Sequence, residues 1–304
     1  MRTVLLAVAS LVVALSSAAG AGAPSIDVHG HRGARAVFPE NTLPAFEHAL
    51  AVGVDYLELD TVVTADGHVV VMHDLVVPAD LCIAAGGQRL TRGAAVRTLT
   101  LAQLKAYDCG SLGDPRFPAQ RTVPGARIPT LDEVLALVSK APALSSTEAR
   151  DTVASPVQLN IETKIVPGRA DWTPSPERFA ELVVAVIRRH GLEKRTVIQS
   201  FDQRTLQVVA RIAPDIRRSL LIAGNLIDHV AAAKAARASI VSPAQDWITR
   251  SAVRKIHDAG LTVVPWTANT PDRWQRLVDL GVDGIITDDP KALLSWLRAH
   301  GRHR

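Results

Sequence analysis

Eight short runs rich in β-branched residues recur along the chain, and most are followed by a stretch with helical periodicity. The runs are IDVHG, YLELDTVV, VQLNIET, TVIQSF, SLLIA, SIVSP, LTVVPWT and GIIT. The helical stretches include NTLPAFEHALAVG, SPERFAELVVAVIRRHG, DQRTLQVVARIA, TRSAVRKIHDAG, TPDRWQRLVDLG and PKALLSWLRAH. Such alternation predicts parallel strands covered by helices, the α/β class. Eight units indicate a (β/α)₈ TIM barrel, with a doubly wound open sheet as the alternative.

Two segments interrupt the alternation. TADGHVVVMHD places an Asp-Gly turn between two β-like runs, which predicts a hairpin. After it, residues 75–130 are rich in Gly, Pro and Arg, and we expect a small insertion at one end of the barrel with a short helix at LTLAQLKAYD. A second segment, APALSSTEARDTVASP, is typical of a surface loop.

The first 23 residues have the organisation of a secretory signal peptide. Arg2 precedes an apolar core from Val4 to Leu15, and small residues follow as far as Ala23. The core is short for a membrane span, which disfavours an uncleaved anchor. We therefore expect residues 24–304 to form one barrel domain that is exported, secreted or periplasmic, and soluble without stable membrane insertion.

The charge of the chain indicates which classes of molecule it can bind. The net charge of +4 is scattered along the chain and favours anionic substrates. A basic stripe with interleaved aromatic residues is missing, so nucleic acid is not an expected partner.

Cys82 and Cys109 are the two cysteines, and in an exported protein they predict one disulfide. The alternative, a metal site, lacks other His or Cys ligands at suitable spacing.

Acidic residues stand at the ends of two predicted strands. Glu58 and Asp60 lie two residues apart and share one face of a strand, as do Asn160, Glu162 and Lys164 on the next barrel strand. Charges on a barrel strand must sit at a mouth, be paired or bind metal. Carboxylate oxygens suit hard cations, so Glu58, Asp60 and Glu162 predict a site for one divalent cation, either Ca²⁺ or Mg²⁺.

Two histidines are expected at the same mouth. His31 ends the first predicted strand and His73 follows the hairpin, so the two suit an acid–base pair. Arg32 and Lys164 beside them favour chemistry on a phosphate group. Further candidate substrate-site residues stand in the first loop and at the ends of later strands: Glu40, Gln199 and Trp266.

These residues occur in an ordered set that resembles the glycerophosphodiester phosphodiesterase family. The set consists of HRG, ENT, ELDTVVTADGHVVVMHD, IETK, QSFD, PWTAN and GVDGIITDDP, and it spans nearly the whole chain after residue 23. The resemblance implies a (β/α)₈ barrel, a divalent cation on the three acids and His31 with His73 as general acid and base. It also implies that Arg32 and Lys164 contact phosphate, that Glu40 supports the first loop, and that the reaction releases sn-glycerol 3-phosphate and an alcohol from a small glycerophosphodiester.

Three other functions compete with this interpretation. A phospholipase D of the sphingomyelinase D type shares the barrel and the paired histidines but acts on intact lipids. A non-catalytic binder of phosphate esters requires a damaged site, whereas the predicted histidines and acids are all present. A glycoside hydrolase also uses paired carboxylates but does not need Arg32 and Lys164 beside two histidines.

Overall fold

The computed structural model describes residues 25–140 and 156–303. The predicted signal peptide (residues 1–23) and all but the last residue of the surface loop predicted at 141–156 lie outside the described residues. The strands are β1 (Asp27–Gly30), β2 (Tyr56–Val63), β3 (Val69–Val71), β4 (Gln158–Thr163), β5 (Thr196–Ser200), β6 (Arg217–Ile222), β7 (Ile240–Pro243), β8 (Thr262–Val263) and β9 (Gly284–Thr287). Within the described residues no helix has the length and apolar character needed to cross a membrane.

The helices alternate with these strands as the sequence predicts. They are α1 (Leu43–Val52), α2 (Leu101–Leu104), α3 (Leu131–Lys140), α4 (Pro176–Arg189), α5 (Gln203–Ile212), α6 (His229–Ala235), α7 (Arg250–Asp258), α8 (Pro271–Leu280) and α9 (Pro290–Ala299). Capping residues determine where several of these helices begin or end. The Ser175 hydroxyl accepts a hydrogen bond from the Arg178 backbone at the start of α4. Gly53 ends α1 with φ at 85°, a conformation that favours glycine.

The described strands close into a barrel. Eight of them run parallel in the order β8-β7-β6-β5-β4-β2-β1-β9. The two outer members meet, because the backbone nitrogens of Asp283 and Ile286 donate to the carbonyls of Val263 and Pro265, each at 3.0 Å. This closure confirms the predicted TIM barrel and excludes the open sheet.

Alternate residues of the strands enter two separate apolar clusters. Leu57, Ile198 and Val241 belong to the large layer between strands and helices. Their neighbours Tyr56, Val197 and Ile240 belong to a small cluster on the other face, inside the barrel. The interior is therefore filled by side chains, and polar groups gather where the strands end.

The segment after the predicted hairpin packs around an apolar cluster of its own. The hairpin is confirmed, since β2 and β3 pair antiparallel. The following segment buries Val77, Leu104 and Ile128 against β2 and β3. A disulfide joins Cys82 to Cys109, as predicted from the sequence.

Helices α3 and α6 are absent from the sequence-based prediction. Helix α3 begins directly after the Gly- and Pro-rich segment, with the Thr130 hydroxyl accepting from the Glu133 backbone and the Glu133 carboxylate from the Thr130 backbone. This reciprocal pair is a sequence signal that was available. Helix α6 is short and alanine-rich, so its apolar stripe is weak. Helix α2 forms inside LTLAQLKAYD but is only 4 residues long.

Candidate active site

Three carboxylates meet at the carboxyl ends of β2 and β4. Glu58 and Asp60 project from the same face of β2, and Glu162 lies beside Asp60 in the parallel register. Each of these residues is at most 5% exposed. One carboxylate oxygen from each acid lies within 4.8 Å of the others. The structure thus brings together the three acids that the sequence predicts as metal ligands.

Cationic and amide groups surround these acids unevenly. Lys164 Nζ lies 3.0 Å from Asp60 Oδ1 and 2.8 Å from Glu162 Oε1. Arg32 Nε lies 3.3 Å from Asp60 Oδ2. Glu58 instead accepts neutral hydrogen bonds, from the Arg32 backbone at 2.8 Å and from Gln199 Nε2 at 2.7 Å. Asp60 therefore contacts two cationic side chains and Glu162 contacts one, whereas the hydrogen-bond donors to Glu58 are neutral.

The pKa values of the three acids follow this distribution of charge. Burial and the Asp60 carboxylate raise the pKa of Glu58 well above its usual range. Burial raises the pKa of Glu162 to about 7, although Lys164 opposes the change. Burial also disfavours ionised Asp60, but Lys164 and Arg32 outweigh it and hold the pKa of that carboxyl well below its usual range. Among the ion pairs of the described residues none includes Glu58, and the single Lys164 ammonium beside Glu162 does not offset the burial of that carboxyl.

A hard divalent cation fits this donor set. Asp60 Oδ1 and Glu162 Oε1 are buried, and neither accepts a well-directed hydrogen bond, although Lys164 Nζ lies near both. Ca²⁺ and Mg²⁺ bind carboxylate oxygens, and their charge offsets crowded acids. The three carboxylates supply the anionic ligands that such an ion prefers.

His31 is held by an aspartate from the far end of the chain. Its Nδ1 lies 2.5 Å from Oδ1 of Asp288, which directly follows β9. Asn269 Nδ2 donates to the other oxygen of Asp288 at 2.7 Å. Burial lowers the pKa of His31, while Asp288 opposes that change. With Nδ1 engaged, Nε2 is the ring nitrogen available to a substrate.

His73 has a similar partner in a more open setting. It follows β3, and its Nδ1 lies 2.6 Å from Oδ1 of Asp74. The His73 side chain is 34% exposed, compared with 13% for His31. Both imidazoles are near enough to Asp60 to lower the pKa of its carboxyl when they are charged. The structure therefore places the predicted histidine pair around one acid cluster.

The first loop is tied into the site by arginine–carboxylate pairs. Arg32 Nη1 donates to Glu40 Oε1 at 2.7 Å, and Arg35 Nε lies 3.2 Å from Glu40 Oε2. Arg32 has φ at 50°, in the left-handed region, so these contacts hold a strained backbone. At Gly33, φ is 87° and a Cβ atom would come within 2.8 Å of the Ala45 backbone. Glycine is therefore required there.

Gln199 lies in the buried hydrogen-bond network around Glu58, whereas Trp266 is partly exposed. The Gln199 amide is buried, donating to Glu58 and accepting from Asn160 Nδ2 at 3.0 Å. Trp266 is half-buried, and its Nε1 donates to the Ser242 carbonyl at 2.8 Å. The Phe201 ring meets Trp266 edge to face, with centroids 5.7 Å apart. Their predicted contact with substrate stays a prediction.

Several residues of the site were not assigned from the sequence. They are Asp288 and Asn269 beside His31, Asp74 beside His73, and Arg35 beside Glu40. Asp288 follows the strand run GIIT, so the same reasoning from strand ends was available for it. Arg35 offers no such signal, because only the folded loop brings it near Glu40 and Asp288.

A TIM barrel with buried acids, two carboxylate-paired histidines and cations at one mouth defines an enzyme that acts on phosphate esters. The family model described as the glycerophosphoryl diester phosphodiesterase family matches residues 31–292. A glycerophosphodiester phosphodiesterase of Caldanaerobacter subterraneus subsp. tengcongensis is 31% identical, over 90% of this chain and 98% of that protein. The chain therefore belongs to the glycerophosphoryl diester phosphodiesterase family, whose members are phosphoric diester hydrolases.

Solved structures agree with this assignment. A crystal structure from Silicibacter pomeroyi DSS-3, assigned as a glycerophosphoryl diester phosphodiesterase, has 33% identity and a TM-score of 0.84 over 92% of this chain and 95% of its own. An Oleispira antarctica phosphodiesterase, solved with the product sn-glycerol-3-phosphate, has 22% identity and a TM-score of 0.72 over 90% of this chain and 96% of its own. The second likeness supports the fold alone.

Proposed function

We propose that the protein hydrolyses glycerophosphodiesters to sn-glycerol 3-phosphate and an alcohol. Glu58, Asp60 and Glu162 hold one divalent cation, Ca²⁺ or Mg²⁺, while His31 and His73 move protons. Arg32 and Lys164 contact the phosphate, Glu40 supports the first loop, and Gln199 and Trp266 line the substrate site. Family membership supports the reaction, and the geometry of the strand ends supports the roles of the residues.

One observation carries the proposal: two histidines with carboxylate partners stand around a single buried acid cluster. A cation held by that cluster supplies positive charge that offsets the charge of the phosphodiester and of its transition state. In each imidazole, Nδ1 is bound to aspartate and Nε2 is available to the substrate. Two such nitrogens suit a reaction that needs one proton removed and another delivered.

The proposed reaction removes one proton from the nucleophile and delivers one to the leaving alcohol. One Nε2 accepts the proton of the attacking hydroxyl, which belongs to water or to the neighbouring carbon of the glycerol, as its oxygen bonds to phosphorus; where the glycerol hydroxyl attacks, water then opens the cyclic phosphate in a second step. The other Nε2 donates a proton to the alcohol oxygen as the phosphorus–oxygen bond to that alcohol breaks. Asp288 and Asp74 fix the two rings by accepting at Nδ1 and favour the charged imidazolium that forms during the reaction.

Arg32 and Lys164 supply positive charge where the phosphate is proposed to bind. Arg32 is 8% exposed and already faces Asp60 and Glu40. Lys164 Nζ stands between Asp60 and Glu162. A cation on the acid cluster would offset the carboxylate charge that Arg32 and Lys164 now face, which would leave both side chains free to bind phosphate oxygens.

The alternatives from the sequence gain less support. The family match favours the glycerophosphodiester substrate over the sphingomyelinase D-type lipid substrate. The intact arrangement of histidines and acids argues against a non-catalytic binder. We also propose that the chain is exported, because the Cys82–Cys109 disulfide suits an oxidising compartment.

The test is release of glycerol 3-phosphate from glycerophosphocholine by purified protein beginning at residue 24. The assay is run as purified, after EDTA, and after Ca²⁺ or Mg²⁺ is restored. We expect turnover that EDTA abolishes and that one of the ions restores. Turnover that persists through exhaustive EDTA treatment contradicts the metal assignment. Inactivity in every condition, with intact lysophospholipid or sphingomyelin cleaved instead, contradicts the proposed substrate.

A further inference from the structure

A cavity of about 580 Å³ opens beside the acid cluster. His73, Glu162 and Lys164 line one end of it. The rest of its wall comes from the start of the segment after β3 and from the loops that follow β4 and β5. The cavity therefore offers space for one substituent of a diester whose phosphate lies near Lys164 and His73.

Apart from the Glu162–Lys164 pair and His73, the charged residues that line the cavity are acids. They are Asp74, Asp80 and Asp202. Asp74 contacts His73, and Asp202 pairs with Arg204 while capping α5. Asp80 is exposed, and no ion pair of the described residues includes it. Among the acids of the cavity wall, Asp80 is therefore the one whose negative charge no ion pair of the described residues offsets.

The remaining wall is apolar and aromatic. The aliphatic residues of the lining include Val76, Val77, Pro78, Ile165 and Val166. Phe201 is 48% exposed and is fixed edge-on by Trp266. The nearby Trp172 ring already has the Arg169 guanidinium 4.7 Å from its centroid. Among the described aromatic rings of this wall, Phe201 is exposed and has no arginine over it.

We propose that this cavity binds the alcohol head group of the substrate and selects a cationic one, a quaternary or primary ammonium alcohol. This inference rests on the proposed function. An ammonium group is attracted both to the Phe201 ring and to the Asp80 carboxylate, and its methyl or methylene groups suit the aliphatic wall. A polyol head group of similar size leaves its hydroxyls unpaired against valine, isoleucine and proline side chains.

The experiment compares kcat/KM for three diesters that share the glycerol phosphate half: glycerophosphocholine, glycerophosphoethanolamine and glycerophosphoglycerol. We expect the two cationic substrates to exceed the neutral one by about 3- to 30-fold. Choline should also inhibit competitively at lower concentration than glycerol. Equal kcat/KM for all three substrates overturns the inference but leaves the proposed function standing, whereas failure of all three contradicts the proposed function itself.

Two variants assign the selectivity to the cavity. Asp80→Asn removes the charge, and Phe201→Leu removes the ring while keeping an apolar side chain. Each should lower the ratio of choline to glycerol substrate by about 3- to 10-fold. Asp215→Asn, an exposed acid between α5 and β6, is the matched control and should leave the ratio unchanged. Ratios equal to wild type in both cavity variants overturn the inference.

Discussion

His31 Nδ1 lies 2.5 Å from Asp288 Oδ1, although the two residues are 257 positions apart in the chain. His31 follows the first barrel strand and Asp288 follows the last, and these strands pair in parallel when the barrel closes. The orientation of the imidazole therefore depends on closure of the whole ring of strands.

Replacing Asp288 should impair catalysis more than binding. Asp288→Asn removes the charge that fixes Nδ1 and favours imidazolium, so we expect kcat to fall by about 10- to 100-fold with little change in KM. In the wild type, the contact with Asp288 raises the pKa of His31. Loss of this contact should lower that pKa, so the corresponding limb of the pH–rate profile should move to lower pH. The control is Asp289→Asn, because asparagine also caps α9. An unshifted profile with normal kcat contradicts the positioning role.

The two histidines should each be essential to turnover. His31→Ala and His73→Ala remove a proton carrier, and we expect kcat to fall by at least about 100-fold. Circular dichroism and the melting temperature should remain near those of the wild type. His68→Ala is the matched control, since His68 is an exposed histidine in the β2–β3 turn. Near-normal activity in either active-site variant would contradict the assignment of these histidines as general acid and base.

Removal of one acid should weaken cation binding. Glu58→Gln keeps the shape of the side chain but removes a charged ligand, and we expect the dissociation constant for the activating ion to rise by at least about tenfold. The measurement is the melting temperature as a function of Ca²⁺ or Mg²⁺ concentration, because an ion that binds the folded state raises it. Glu47→Gln on the exposed side of α1 serves as control. Identical titrations for both variants place the ligands elsewhere.

The disulfide should stabilise the segment between β3 and α3. Cys82 and Cys109 are 27 residues apart, and in the chain-entropy model closing such a loop contributes about 3–4 kcal/mol to the free energy of unfolding. The double variant Cys82→Ser/Cys109→Ser should therefore unfold at lower urea concentration. Dithiothreitol should lower the wild-type midpoint and leave that of the variant unchanged. Coincident midpoints for oxidised and reduced wild type would show that the crosslink contributes nothing.

A half-buried acid at the start of β1, Asp27, should make stability depend on pH. Burial, then the nearby Asp55 charge, raises the pKa of Asp27 from 3.8 to about 6. The folded state therefore holds this proton more tightly than the unfolded chain, and the resulting stabilisation is lost as pH rises from about 4 to about 6.

Replacement of Asp27 by asparagine tests this pH dependence of stability. Asp27→Asn does not ionise, so at pH 8 it should unfold with a free energy about 1–3 kcal/mol greater than that of the wild type, and at pH 4 the difference should shrink. Thermal melts at both pH values measure this, with Asp215→Asn as control. A constant difference between the variants across pH would contradict the raised pKa.

Much of the site was predictable because barrel chemistry follows strand ends. Glu58, Asp60 and Glu162 were identified from their alternation on two strands, and the structure places their oxygens within 4.8 Å of each other. The disulfide followed from the presence of two cysteines in a chain that the sequence predicts to be exported. The partners of the histidines were harder to predict, since Arg35 and Asn269 reach Asp288 only through loops whose paths depend on packing.

The sequence by itself determined the order of strands and helices and the residue types at each strand end, because periodicity and polarity are local properties. Only the tertiary structure decided that His31 is held by Asp288, that Glu58 lacks a cation while Asp60 has two, and that a partly apolar cavity lies beside His73. These outcomes depend on distances between residues far apart in the chain. Distances of that kind are set by barrel closure and side-chain packing, and electrostatic interaction energies depend steeply on them.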